Sequence, residues 1–163
     1  MTRYFDASAL VKRYVREAGS TTVRRLLSTG IAATSRLSEV EVSSAIVRRA
    51  REGAFTIEQR DRMLTALRRD VPALAMVELI AEITGDARAL LLRHALRASD
   101  AVQLASCLYL QRQLVEPVPF VAFDGRLVLA ARAEGLTVIV ARGDVQRKVT
   151  KAIRVLKRAG RSK

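Results

Sequence analysis

Short runs of apolar residues alternate with longer segments of helical periodicity along most of the chain. Because strands that alternate with helices usually pair in parallel and are covered on both faces, the pattern predicts a three-layer α/β/α sandwich around a central parallel sheet. The runs that predict strands are RYFD at 3–6, IAAT at 31–34, ALAMV at 73–77, VPFVAF at 118–123 and LTVIV at 136–140.

The segments between these runs repeat apolar residues every three or four positions, as amphipathic helices do. Thr56 is expected to cap the helix that follows it, and Ser99 the helix that begins near Asp100. The predicted helices are 8–17, 21–28, about 35–52, 57–70, 78–94, 100–113 and 126–135.

Four acidic residues occupy special places in this pattern. Asp6 and Asp124 end predicted strands, whereas Glu41 and Asp100 lie where apolar helical stretches begin. Ligand sites of parallel sheets lie beyond the carboxyl ends of the strands, so Asp6 and Asp124 are expected at one site. A carboxylate beside apolar strand residues is costly to bury and usually has a partner or a function.

Each of these acids also has a plain structural interpretation. Asp6 and Asp124 could cap the helices that follow them, and Asp100 could interact with a helix dipole. Glu41 could belong to a capping box that starts at Ser38. Glu39 competes with Glu41 from nearly the opposite helix face, and periodicity does not choose between them.

The charge balance changes this picture, because an acidic site would sit on a strongly basic protein. The 163 residues include 29 Lys and Arg against 16 Asp and Glu, a net charge of +13. Such a balance favours an anionic partner, most commonly nucleic acid. Carboxylates would hold divalent cations, while basic residues such as Lys12 and Arg13 would hold phosphates.

The last 22 residues differ in composition from the rest. Residues 142–163 contain nine Lys or Arg and one acid, with apolar residues near helical spacing. They predict a basic amphipathic extension to a domain at 1–141. Its apolar stripe would pack on the domain, or its basic residues would contact nucleic acid.

Several classes of chemistry are excluded by what the sequence lacks. It has no glycine-rich phosphate loop and no paired cysteine ligands, and His94 is its only histidine. Zinc centres and histidine-based nucleophilic devices are therefore not expected. Oxygen ligands remain, and these suit Mg²⁺ or Mn²⁺.

The expected location is the cytoplasm. The single cysteine, Cys107, lies in an apolar run and is expected to be a buried structural thiol, which suits a reducing compartment. Asp6 interrupts the amino terminus before a signal sequence can develop, and no apolar run reaches the ~20 residues of a membrane span.

Four blocks of the sequence together resemble the PIN-domain ribonucleases, specifically the VapC-like toxins of toxin–antitoxin pairs. The blocks are YFDASALVKRY, ATSRLSEVEVSSAIVRRA, HALRASDAVQLASCL and FVAFDGRLVLAARAEGL, in the family's order over about residues 2–140. One departure is Ala122, where many relatives carry Thr or Ser.

This resemblance implies a Rossmann-like PIN fold and an endoribonuclease that depends on Mg²⁺ or Mn²⁺. It assigns the catalytic and metal-binding acids as Asp6, Glu41, Asp100 and Asp124, with Ser8 as a neighbouring hydroxyl, and leaves Glu39 as a neighbour of the site. It also implies an RNA substrate, a small VapB-like antitoxin as partner, and a homodimer.

Two other functions compete with this interpretation. A noncatalytic PIN-fold protein could bind RNA or act as a scaffold, although all four acids of the family are present. A haloacid-dehalogenase-like phosphotransferase also begins with a strand that ends in Asp. It needs a second Asp two residues later, where this chain has Ser8.

Overall fold

A five-stranded parallel sheet lies at the centre of the structure, a computed structural model that describes residues 1–140. The strands are β1 (Thr2–Phe5), β2 (Ile31–Ser35), β3 (Ala75–Val77), β4 (Phe120–Val121) and β5 (Val138–Ile139). The helices are α1 (Ala7–Leu10), α2 (Ser20–Leu27), α3 (Leu37–Arg51), α4 (Ile57–Asp70), α5 (Ala81–Arg93), α6 (Ala98–Leu114) and α7 (Gly125–Ala133). Short 3₁₀ helices span Val11–Arg13 and Val71–Ala73.

The strand order is β3-β2-β1-β4-β5, and every pair is parallel. The chain runs outward from β1 through β2 to β3, and then crosses to β4 on the other side of β1. The order therefore reverses between β1 and β4, where an open parallel sheet leaves a crevice at its carboxyl edge.

Helices cover both faces of this sheet, as the alternating pattern predicts. Adjacent strand residues point to opposite faces: Tyr4 packs with residues of α5, α6 and α7, whereas Phe5 packs with residues of α1 and α2. A third cluster joins α1 and the first 3₁₀ helix to α3 and α4. The prediction of a three-layer α/β/α sandwich is therefore confirmed.

The predicted helix starts are confirmed at one position and wrong at another. Thr56 caps α4, since its hydroxyl accepts a hydrogen bond from the Gln59 amide while the Gln59 side chain accepts one from the Thr56 amide. Ser99 does not cap α6, which begins at Ala98 with Arg97 as the N-cap. The Asp100 carboxylate lies in the first turn of α6 and accepts a hydrogen bond from the Arg97 amide at 3.1 Å.

The predicted helix over 8–17 is shorter in the structure. Helix α1 ends at Leu10, and the chain continues as the 3₁₀ helix Val11–Arg13. The chain then reaches Gly19, which is the N-cap of α2 and has a left-handed backbone (φ 87°).

Three further expectations concern Cys107, membrane-spanning helices and the last residues of the chain. Cys107 is fully buried on α6, and burial raises the pKa of its thiol, in agreement with a structural role. No helix within residues 1–140 is long and apolar enough to cross a membrane. The predicted basic extension at 142–163 lies outside the described residues.

Candidate active site

A cleft of about 630 Å³ opens at the carboxyl edge of the sheet, where the strand order reverses. Loops after β1 and β4 contribute Asp6 and Asp124, and helices α3 and α6 contribute Glu41 and Asp100. The structure therefore places the four predicted site residues around one cleft.

Asp6 follows β1 directly and is 3 % exposed. Its carboxylate accepts hydrogen bonds from the Ser8 hydroxyl at 2.7 Å and from the Ala9 amide at 2.7 Å, so it does cap α1. Burial raises the pKa of Asp6 to about 7, the hydrogen bonds from Ser8 and Ala9 oppose the rise, and the charge of Glu41 adds to it. Asp6 therefore caps α1 and also has a carboxylate whose pKa is raised.

The structure separates Glu41 from Glu39. Glu41 faces the cleft, and its Oε2 accepts a hydrogen bond of 2.6 Å from the Gln103 side chain. Glu39 lies outside the cleft lining and pairs with Arg36, which also binds Glu78 at 2.5 Å. Ser38 is buried and shares a hydrogen bond with Thr34, so it does not begin a capping box.

Gln103 is a site residue that the sequence reasoning missed. Its side chain is 2 % exposed, accepts a hydrogen bond from the Tyr4 hydroxyl at 2.8 Å and donates to Ser38 at 2.9 Å as well as to Glu41. These bonds hold α3 and α6 to β1 beneath the cleft. A single amide within the apolar run DAVQLASC is the sequence signal that could have identified it.

Asp100 and Asp124 are less buried than Asp6. Asp100 lies in the first turn of α6, and its Oδ2 accepts the Arg97 amide hydrogen bond. Asp124 caps α7 through hydrogen bonds from the Arg126 and Leu127 amides at 2.9 and 3.2 Å. Each carboxylate therefore has a structural bond while it still lines the cleft.

Basic side chains form another part of the cleft wall. Lys12 is 7 % exposed, and its Nζ donates to Glu17 Oε1 at 2.7 Å and lies 4.5 Å from the centre of the Phe123 ring. Glu17 also pairs with Arg49 at 2.5 Å. Sequence reasoning selected Lys12 but missed Glu17, Arg48, Arg49, Arg97, Ser44 and Phe123, because only tertiary packing brings them to the cleft.

Arg13, the other basic residue expected near the acids, does not line the cleft. It pairs with Asp70 at 3.1 Å and faces a separate groove between α2 and α4. Neighbouring side chains of a helix point to different sides, so Lys12 and Arg13 cannot both face the cleft.

The chemistry of the donor set fits a hard divalent cation. The four acids offer carboxylate oxygens to the cleft. Within residues 1–140, no Lys or Arg forms an ion pair with Asp6, Glu41 or Asp100. The described residues contain no ready-made group of three His, Cys, Asp or Glu side chains spaced to hold a metal. Mg²⁺ usually keeps several waters and needs only one or two carboxylates, so an open ring of acids suits it better than a closed cage would.

Comparisons with known proteins agree with this architecture. Residues 3–152 match the model of the PIN domain family. Ribonuclease VapC45 of Mycobacterium tuberculosis is 38 % identical over 147 residues, which cover 86 % of this chain and 96 % of the relative.

Solved structures share the fold at low sequence identity. VapC20 of M. tuberculosis, a toxin that cleaves the sarcin–ricin loop, superposes with a TM-score of 0.60 at 20 % identity, covering 84 % of this chain and 97 % of that one. VapBC2 from Rickettsia felis, solved with a DNA fragment from its promoter, gives 0.62 at 11 % identity, covering 86 % and 99 %. The family model covers most of the chain, and the identity to Ribonuclease VapC45 is 38 %. The chain therefore belongs to the PIN-domain family, in its VapC branch.

Proposed function

We propose that this protein is the toxin endoribonuclease of a toxin–antitoxin pair and that it cuts RNA with the help of Mg²⁺ or Mn²⁺. The observation that carries the proposal is the set of four carboxylates, from two loops and two helices, that line one cleft on a basic protein. A merely structural role would not require acids from four separate elements to face the same space.

Asp6, Glu41, Asp100 and Asp124 are the residues that would hold the cation. When bound, the cation would supply a hydroxide nucleophile at neutral pH and neutralise charge that develops on the phosphate. Asp6 must be ionised to contribute, and its raised pKa means that cation binding and proton release are coupled there. Ser8 and Gln103 orient the carboxylates of Asp6 and Glu41 through the hydrogen bonds described above.

The basic part of the wall would position the RNA backbone beside these acids. Arg48 and Arg97 line the cleft, and their guanidinium groups can donate to phosphate oxygens in pairs. Lys12 and Arg49 are already held by Glu17, so their expected role is to shape the wall. Phosphate contacts of this kind set the register of the strand without reading its sequence.

Several further expectations rest on family membership. A VapB-like antitoxin is the proposed partner, and the structural neighbours that include an antitoxin are in line with it. We also propose a homodimer. A cytoplasmic location and a domain that ends near residue 141 are proposed from the composition of the sequence, which becomes strongly basic over residues 142–163. The substrate of VapC20 belongs to that protein, and the RNA cut by this chain is to be identified by experiment.

The test is incubation of the purified, partner-free chain with total RNA and Mg²⁺ or Mn²⁺, with and without a chelator. We expect a small number of discrete cuts that disappear with the chelator, and sequencing of the new ends would identify the substrate. Tight RNA binding by folded protein without cleavage in either metal would instead support the noncatalytic alternative.

A further inference from the structure

A second concave surface lies apart from the acidic cleft, on the face of the sheet that carries α1 to α4. It is a groove of about 520 Å³ between the 3₁₀ helix Val11–Arg13, α2 and α4. We call it the arginine groove, after the four arginines that line it: Arg13, Arg24, Arg62 and Arg69.

One carboxylate balances part of this charge. Asp70 accepts hydrogen bonds from Arg13 Nε at 3.1 Å and from Arg69 Nε at 3.2 Å. Arg24 donates to a backbone oxygen, and within residues 1–140 neither Arg24 nor Arg62 has a carboxylate partner. The groove therefore keeps an excess of positive charge, and a concave wall concentrates its field on an anion.

The other lining residues favour a phosphate-bearing ligand over an apolar one. Among the described residues that line the groove, only Met63 and Ala66 have purely apolar side chains. Burial, together with the charge of Asp70 and a hydrogen bond to its carboxylate, raises the pKa of Tyr14 to about 12, so the phenol is engaged by Asp70. The arginines are therefore the groups that would meet a ligand, and guanidinium groups suit the non-bridging oxygens of phosphodiesters.

The arginine groove and the acidic cleft share one wall. Val11 and Lys12 line the cleft, and the next two residues, Arg13 and Tyr14, line the groove. Neighbouring Cα atoms are only about 3.8 Å apart. The two depressions therefore lie on either side of the same short segment of chain, residues 11–14.

We propose that the arginine groove binds the phosphodiester backbone of the RNA on one side of the bond that is cut in the cleft. This inference rests on the proposed function. It makes the groove an extended binding site, which adds affinity for long RNA without contributing a group to the chemistry.

The test compares two double variants of the full chain that remove equal charge. R24Q/R62Q changes the two groove arginines that have no carboxylate partner, and both are exposed. R88Q/R132Q changes two exposed arginines of α5 and α7, which cover the other face of the sheet. Thermal melts establish that both variants fold, and both keep the basic segment 142–163.

Binding is measured with a chelator present, so that no RNA is cut. The probes are single-stranded RNAs of about 20 and about 4 nucleotides, a range that brackets typical single-strand sites. For the long RNA we expect R24Q/R62Q to raise Kd about tenfold and to reduce the salt slope by about 1.4, since each lost phosphate contact removes about 0.7. The short RNA should bind the parent and both variants with similar affinity, and the control should change the long-RNA Kd less than about twofold.

Equal losses in the two double variants would overturn the inference, because they would reflect net charge alone. An unchanged long-RNA affinity in R24Q/R62Q, with loss of polyglutamate binding, would assign the groove to an acidic protein segment instead. These binding results do not depend on catalysis. Failure of the proposed nuclease function would appear separately, as absence of metal-dependent cleavage by the parent.

Discussion

Asp6 has a buried carboxylate whose ionisation affects the stability of the protein when no cation is present. Its pKa in the folded protein is about 7, compared with 3.8 for an unperturbed aspartate, so the folded state binds this proton more tightly than the unfolded state does. The stabilising contribution is therefore fully present below pH ~3.8 and is lost as the pH rises to ~7.

Replacing Asp6 with Asn should remove the loss of stability that ionisation of Asp6 causes above neutral pH. In chelator at pH ~8, the free energy of unfolding of D6N should exceed that of the parent by at most about 4 kcal/mol, so D6N should melt at a higher temperature. This difference should disappear toward pH ~4. Mg²⁺ should then raise the melting temperature of the parent more than that of D6N, since only the parent has the full carboxylate set. Differential scanning calorimetry across this pH range measures it, and a pH-independent gap would contradict the assigned pKa.

Glu41 and Glu39 lie on the same helix and form a matched pair. E41Q should lower the rate of RNA cleavage at least a hundredfold, because it removes a carboxylate that faces the cleft. E39Q should stay within about threefold of the parent, since Glu39 pairs with the exposed Arg36. Single-turnover cleavage of an RNA identified from total RNA is the measurement. Equal losses in both variants would argue against the cleft as the catalytic site.

The choice between these two glutamates could not be predicted from the local sequence pattern. Apolar residues surround both, so periodicity left the pair unresolved, and the family resemblance favoured Glu41. In the structure Glu41 bonds to Gln103, a residue 62 positions later in the chain. A contact over that distance depends on the packing of α3 against α6, which local sequence patterns do not contain.

At the scale of elements, the turn before α2 supports one side of the cleft. Gly19 has a left-handed backbone, and a Cβ atom there would lie 2.7 Å from Cε1 of Phe123. Phe123 in turn contacts Lys12 on the cleft wall. This close approach explains why a glycine is needed at that turn.

The substitution G19A should therefore cost more stability than the same change at Gly53. Both positions have positive φ, but nothing lies within 4 Å of a Cβ at Gly53. We expect G53A to lower the free energy of unfolding by about 1 kcal/mol, from backbone strain alone. G19A should lower it by about 2–3 kcal/mol, because Phe123 must also move. Urea denaturation gives both values. A G19A cost no greater than that of G53A would show that the ring shifts freely.

Secondary structure was predictable where the local signal was strong. The order of strands and helices and the N-cap at Thr56 are confirmed, because apolar periodicity and capping act within a few residues. The predicted start of α6 was wrong because the helix begins at Ala98, and Asp100 in its first turn bonds back to the amide of Arg97, the N-cap. The early end of α1 was missed because the chain turns there to pack Val11 and Val15 against α3 and α4, a tertiary effect.

At the scale of the whole molecule, an acidic cleft is embedded in a chain with a net charge of +13. The sheet topology produces this contrast, since reversal of strand order between β1 and β4 gathers acids at one edge. Arginines on α3 and at the start of α6 complete the wall. Long-range attraction should bring RNA to the protein, while the acids keep a cation at the place of cleavage.

The most direct test of this account follows Mn²⁺ binding and RNA cleavage in one titration. Mn²⁺ binding is read by electron paramagnetic resonance and cleavage by single-turnover kinetics, for the parent, D100N and the control D86N, whose Asp86 lies on α5 and pairs with Arg112. We predict that binding and cleavage rise together in the parent and in D86N, and that both are lost in D100N and in chelator. Cleavage that persists in D100N or in chelator would contradict a metal-dependent nuclease at this cleft.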